Sequence, residues 1–104
     1  MTRQTLKSRI NDARHLAAAV GARRVQLELD RAAAALGIHY ESAYCPEEVA
    51  LHAHDAAIAA DSFLEGVRSV SAVCLPHASP VEALATRCMT LWYDALGLPE
   101  SEAA

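Results

Sequence analysis

Glycine, proline and aromatic residues are scarce in this chain of 104 residues. There are four glycines and four prolines, and aromatic residues make up 5%. Because glycine and proline interrupt regular structure, so few of them predict long helices joined by short loops. Few aromatic side chains also limit the apolar area that the chain buries, although hydrophobic residues, many of them alanine, make up 53%. A lone bundle of this alanine-rich kind is expected to be marginally stable, which favours self-association.

Long apolar runs and paired cysteine motifs are missing as well. No segment approaches the roughly 20 apolar residues of a membrane-spanning helix, and the amino terminus lacks the apolar stretch of a secretion signal. Cys45, Cys74 and Cys88 form no paired motif and are interpreted as free thiols of a reducing compartment. We therefore expect a cytoplasmic protein with no membrane association. The length predicts one domain over residues 1–104, with residues 1–4 and 98–104 frayed.

Apolar residues at helical spacing predict an all-α fold. The central helix is predicted to start at Pro46, which suits the first helical position, and Glu47 and Glu48 then favour the positive end of its dipole. Its apolar residues recur every three or four positions for about four heptads. They are Val49, Ala53, Ala56, Ala60, Phe63, Val67, Val70 and Cys74.

The last helix is predicted to start at Pro80, with Ser79 as its cap and Glu82 completing a capping box. Residues 75–79 would then form the turn before it, and Gly97 followed by Pro99 would end it. Its predicted buried face comprises Val81, Leu84, Ala85, Cys88, Leu91, Trp92 and Ala95.

The first third contains two apolar stripes that do not align. On one straight helix the second stripe would lie roughly 110° around from the first. Either the chain breaks near Gly21, or one long helix packs on different neighbours with its two halves. The predicted architecture is therefore a helical bundle of three long helices, or of four if the first is split at Gly21. The stripes are Leu6, Ile10, Ala13, Ala17 and Val20, then Val25, Leu29, Ala32 and Leu36.

The central helix carries a second apolar face, opposite its main stripe. Leu51, His54 and Ile58 lie there, where a simple three-helix bundle would meet water. Two apolar faces imply two layers of neighbours. We therefore predict a homodimer that uses these residues as its interface and completes the bundle.

The segment LHAHDAA places His52 and His54 two positions apart beside an aspartate. In a helix two such side chains point about 160° apart, so they do not converge on one ion. His52 has Glu48 one turn earlier and Asp55 one turn later, either a weak ligand set or a surface histidine between two acids. His54 is interpreted as an interface histidine, although two copies meeting across a dimer axis could bind zinc.

Motifs of catalysis and cofactor binding are absent from the sequence. It has no glycine-rich phosphate loop, no repeated Glu-x-x-His pair and no Cys-x-x-Cys pair. Cys45 precedes a helix start, where the dipole can activate a thiol, but no adjacent motif supplies a base. We expect no enzymatic activity, metal or cofactor. A metal-binding or redox protein that uses His52, His54 and Cys45 is the second alternative.

Charge is distributed unevenly, although the net charge is only −4. Residues 1–36 contain seven basic and three acidic residues, and the remainder contains two basic and ten acidic residues. One interpretation is that the basic first helix lies against the acidic central helix or its symmetry mate. The principal alternative function is a small regulator that contacts nucleic acid. Its basic patch would comprise Arg3, Lys7, Arg14, Arg23 and Arg24.

The acidic remainder suits a protein partner. We predict a non-enzymatic interaction protein, of adaptor or inhibitor type, that binds another macromolecule through its helix faces. One compatible class is the acidic inhibitor of a nucleic-acid machine, as anti-CRISPR proteins are, although the sequence has no motif of that class. The predicted partner-binding residues combine amphipathic rings and exposed acids: Tyr40, Tyr44, Glu47, Glu48, Asp61 and Glu65.

Overall fold

The computed structural model describes residues 2–37, 46–70 and 75–97, of which residues 70 and 75–78 are described by their backbone alone. These ranges hold four helices, α1 (Arg3–Val20), α2 (Arg23–Ala35), α3 (Pro46–Val70) and α4 (Leu75–Leu96), and no strand. The predicted all-α class is confirmed for them. None of these helices combines the length and the apolar character needed to cross a bilayer. Of the ends predicted to fray, residues 1 and 98–104 lie outside the described ranges, and Thr2 caps α1.

The chain breaks between α1 and α2 at Gly21, which has a φ of 76° in the left-handed region. The Gly21 amide donates to the Ala18 carbonyl, and the Ala22 amide donates to that of Ala17. This pattern ends a helix by satisfying its last carbonyls, and glycine adopts the required φ at little cost. The break lets both apolar stripes of the first third face one core. It explains why they do not align on a single straight helix.

Neighbouring helices run antiparallel. Arg3 near the start of α1 donates to the Leu36 carbonyl at the end of α2, at 3.2 Å. Near the other end of α1, Arg14 pairs with Asp30 at 2.6 Å. These two cations of α1 have partners at α2, so within one chain they do not make the predicted contact with the acidic central helix, and a contact with its symmetry mate stays a prediction.

The same arrangement continues around the remaining helix pairs. Helix α2 lies antiparallel to α3, which in turn lies antiparallel to α4. Helix α4 returns to α1, where Arg9 pairs with Asp94 at 2.8 Å. At the far end of α3, Arg68 forms an ion pair with Glu82 of α4. Each helix therefore packs against two others, and its remaining side faces outward.

The core is built largely from the predicted stripes. Leu6, Ile10, Leu29, Leu36 and Leu84 are fully buried and are its largest side chains. Alanines fill much of the surface where α3 meets its neighbours, and small side chains let helices approach closely. The buried alanines of α3 are Ala50, Ala53, Ala56, Ala57 and Ala60.

Two predictions about packing need correction. Phe63 and Val67 are only partly buried, and Leu64 contributes to a small core cluster with Val81 instead. Trp92, predicted to be buried, is also only partly buried because it lies at the edge of the core between α3 and α4. Cys74 lies outside the described residues.

The predicted start of the last helix is wrong. Helix α4 begins at Leu75, so Pro80 lies inside the helix and residues 75–79 are not a turn. The sequence offers two prolines, and Pro76 is the one in the first turn, where a missing amide hydrogen costs nothing. Pro80 therefore lies in the second turn and leaves one carbonyl without its usual intrahelical donor.

Candidate functional site

The outward face of α3 exposes two large apolar side chains. Leu51 and Ile58 are 55% and 53% exposed and lie two turns apart. Both are on the side of α3 away from the alanine-rich core, as the helical spacing predicts. We call this surface, defined by Leu51, His54, Asp55 and Ile58, the outward face of α3.

The side chains of His52 and His54 point to opposite sides of α3. The Nδ1 atom of His52 lies 3.3 Å from Glu28 Oε2 on α2. The imidazole of His54 instead packs edge-on against the indole of Trp92 on α4. Two histidines at this spacing do not share an ion within one chain, because the helix separates them. The HAHD segment therefore supplies one histidine to each neighbouring helix.

Glu28 is the one acid among the buried residues of the described ranges, with 7% of its surface exposed. Its Oε1 atom accepts from Arg31 at 2.7 Å, and its Oε2 atom faces His52. A buried carboxylate needs such partners because desolvation otherwise makes its charge costly. The sequence predicts Glu48 and Asp55 as the acids one turn before and after His52 and does not predict Glu28 there; Glu48 is exposed. In the sequence, Glu28 lies beside Leu29 and one turn after Val25, at the edge of a buried stripe. That position indicates that its side chain is partly or wholly buried.

A groove runs between α2 and α3 beside this cluster. Its volume is about 530 Å³, and it is open to solvent along part of its length. The groove shares Glu28 with the cluster around His52, and it shares Asp55 and Ile58 with the outward face of α3. The complete lining is Arg24, Glu28, Asp55, Ile58, Ala59 and Ser62.

The residues predicted as a basic patch do not share one free surface. Arg3 and Lys7 are partly buried and have partners within the chain, and Arg14 pairs with Asp30. Arg23 and Arg24 are exposed on α2, and Leu27 beside them is 48% exposed. The exposed part of the predicted patch is therefore reduced to two arginines next to the groove.

The predicted acidic residues that the structure describes lie on α3. Glu47, Glu48, Asp61 and Glu65 are all exposed. They flank the outward face of α3 along the helix, so its apolar side chains are bordered by negative charge. Tyr40, Tyr44 and Cys45, which the sequence analysis also singled out, lie outside the described residues.

Cys88 is a core residue of α4, as the sequence predicts. Its side chain is fully buried. Burial, with a smaller contribution from the charge of Asp61, raises the pKa of the Cys88 thiol to about 12. The thiolate is the reactive form of cysteine, so this residue is unsuited to nucleophilic chemistry at neutral pH.

Comparisons with protein-family models, with curated proteins and with solved structures found no match to this chain.

Proposed function

We propose that this chain is a non-enzymatic interaction protein that acts through the outward face of α3. The observation that carries the proposal is the exposure of Leu51 and Ile58, more than half of each side chain, on a helix whose opposite side is already buried. Apolar side chains grouped in this way, with a polar border, are typical of protein contact sites. The groove between α2 and α3 extends this surface toward Arg24 and Glu28 of α2.

A second copy of the chain is the proposed occupant of the outward face of α3. The chain is slender, about 52 × 19 × 18 Å, and its core is rich in alanine, so covering Leu51 and Ile58 adds apolar burial that one copy lacks. The surface also carries both signs of charge. Exposed Arg23 and Arg24 on α2 and exposed acids on α3 suit a self-complementary contact. This homodimer would complete the helical bundle.

The acidic border is the proposed site for a different protein partner. Glu47, Glu48, Asp61 and Glu65 present negative charge to solvent, which favours a partner with a basic surface. An inhibitor that covers the basic groove of a nucleic-acid machine in the cytoplasm is the specific form we propose. Direct nucleic-acid binding receives less support, because Arg23 and Arg24 are the exposed members of the predicted basic patch.

The native mass of the purified chain tests the proposal. Wild-type protein is expected to be a dimer, and Leu51→Glu combined with Ile58→Glu is expected to give a helical monomer, because two carboxylates would be buried at the interface. Leu96→Glu is the matched control, since Leu96 is 57% exposed on α4. That control should remain dimeric. A monomeric wild type, or a dimeric double variant, would contradict the proposed interface.

A further inference from the structure

Glu28, His52 and Asp55 bring three metal-ligating side chains together between α2 and α3. One nitrogen or oxygen atom from each lies within 4.8 Å of the other two. One imidazole and two carboxylates form a ligand set suited to divalent ions such as Zn²⁺. His52 and Asp55 are one turn apart on α3, so both side chains face the same side of that helix.

The distance between Glu28 and His52 fits two ligands of one ion as well as a long hydrogen bond. Oε2 and Nδ1 are 3.3 Å apart. A charge-assisted hydrogen bond between such groups measures about 2.7–2.9 Å. In a tetrahedral zinc site with bonds of about 2.1 Å, neighbouring ligand atoms lie about 3.4 Å apart. Asp55 has 45% of its side chain exposed and one carboxylate oxygen 3.8 Å from His54 Nδ1, and it places a ligand oxygen within 4.8 Å of the other two ligand atoms.

We propose that Glu28, His52 and Asp55 form a binding site for a divalent transition-metal ion, with Zn²⁺ as the expected occupant. Glu28 contributes Oε2, His52 contributes Nδ1 and Asp55 contributes one carboxylate oxygen. Both carboxylates also line the groove between α2 and α3, which has room for water to complete the coordination. Asp55 belongs both to this site and to the outward face of α3, whereas Glu28 and His52 do not belong to that face.

Arg31 is a positioning residue for this site. Its guanidinium donates to Glu28 Oε1 at 2.7 Å, which leaves Oε2 directed toward His52. Such contacts to a ligand's second oxygen orient the ligand. The positive charge of Arg31 also offsets part of the negative charge at the site, so we expect reversible binding that a chelator removes.

A bound ion would join α2 to α3. These helices are connected through residues 38–45, which lie outside the described residues. An ion held by Glu28 on one helix and by His52 and Asp55 on the other binds the folded chain and not the unfolded one. Binding therefore raises the melting temperature in proportion to the affinity and the ion concentration. This shift is a readout that needs no known activity.

The test uses untagged, chelator-treated protein of the full chain. Zn²⁺ binding is measured by calorimetry, Co²⁺ binding by visible absorption, and the melting temperature with and without Zn²⁺. We expect stoichiometric binding and a higher melting temperature in the wild type. Glu28→Gln and His52→Ala should each lower the affinity by at least about tenfold and remove the thermal shift. Arg31→Gln should lower the affinity less.

Two matched controls separate this site from its neighbours. His54→Ala removes the other histidine of the segment, and Glu48→Gln removes the acid that lies one turn from His52 along α3. Glu48→Gln should keep wild-type affinity, and His54→Ala should change the affinity far less than His52→Ala, although His54 Nδ1 lies 3.8 Å from Asp55 Oδ1. If His52→Ala does not fold, the nearly isosteric Glu28→Gln and Asp55→Asn decide the question. Absence of stoichiometric binding, or equal affinity in Glu28→Gln and wild type, would overturn the proposal. Because binding is measured per chain, a monomeric protein would leave this result intact.

Discussion

The indole of Trp92 packs edge-on against the imidazole of His54, with ring centroids 4.6 Å apart and ring planes at 64°. This contact joins α4 to the outward face of α3. Edge-to-face packing of aromatic rings adds modest stability beyond the area that it buries. Trp92 is the single tryptophan of the chain, so its fluorescence reports directly on this edge of the core.

Trp92→Ala is expected to cost about 2 kcal/mol, below the roughly 3–5 kcal/mol of a fully buried tryptophan. The smaller cost follows from its partial burial and from its place at the edge of the core. Unfolding in urea measures the difference in free energy. Leu96→Ala is the control, because Leu96 is 57% exposed and its truncation should change stability by less than about 0.5 kcal/mol. Equal losses in the two variants would contradict this placement.

Gly21 and Gly66 respond oppositely to the same substitution. An added Cβ meets no atom within 4 Å at either position. The difference lies in the backbone, because Gly21 has a φ of 76° and Gly66 lies inside α3. Gly21→Ala should cost about 1–2 kcal/mol, and Gly66→Ala should add about 0.5–1 kcal/mol. Thermal unfolding of both variants and the wild type shows whether each substitution raises or lowers the stability. A stabilised Gly21→Ala protein would contradict the left-handed turn.

Apolar spacing predicts which residues of the first third are buried, but it does not predict the break at Gly21. The stripes that begin at Leu6 and Val25 correctly identify buried residues, because burial follows the period of the helix. The spacing alone left open whether the chain bends between them. A single residue decides that path through its φ, and glycine is permitted at either sign.

The cluster around Glu28 was beyond prediction from the sequence for a different reason. The helical period correctly predicts that His52 and Asp55 lie on one side of α3. The other acid predicted beside His52, Glu48, lies on the same helix. The residue that the structure brings there, Glu28, comes from α2, and no local pattern specifies which residues of two helices meet.

Pro80→Ala distinguishes the observed start of α4 from the predicted one. Since α4 begins at Leu75, Pro80 lies inside the helix, and alanine restores an amide donor and removes the clash of the ring. We expect a gain of about 1 kcal/mol or more, limited by the nearness of the helix end. Urea unfolding of the variant measures it. Pro76→Ala is the matched control and should give no gain, because Pro76 occupies the first turn. A loss of stability in Pro80→Ala would favour the start at Pro80.

Alkaline pH should destabilise the chain through Cys88. Its pKa is raised from 9.0 to about 12 in the folded chain, so above pH 9 the unfolded chain loses a proton that the folded chain keeps. The contribution to stability is therefore complete below pH 9 and is lost as the pH rises from 9 to about 12. Its upper limit is about 4 kcal/mol, since each pKa unit corresponds to about 1.4 kcal/mol.

Unfolding in urea at about pH 8 and about pH 11 measures this loss, which spans most of the interval between the two pKa values. The comparison is with Cys88→Ala, which keeps every other titratable group and removes the thiol. The variant starts from a lower stability at neutral pH, because a buried sulfur is lost, but its stability should fall less steeply with pH. Parallel pH dependences in the two proteins would mean that Cys88 ionises as readily in the folded chain as in the unfolded one. That result would contradict its complete burial between α4 and the rest of the core.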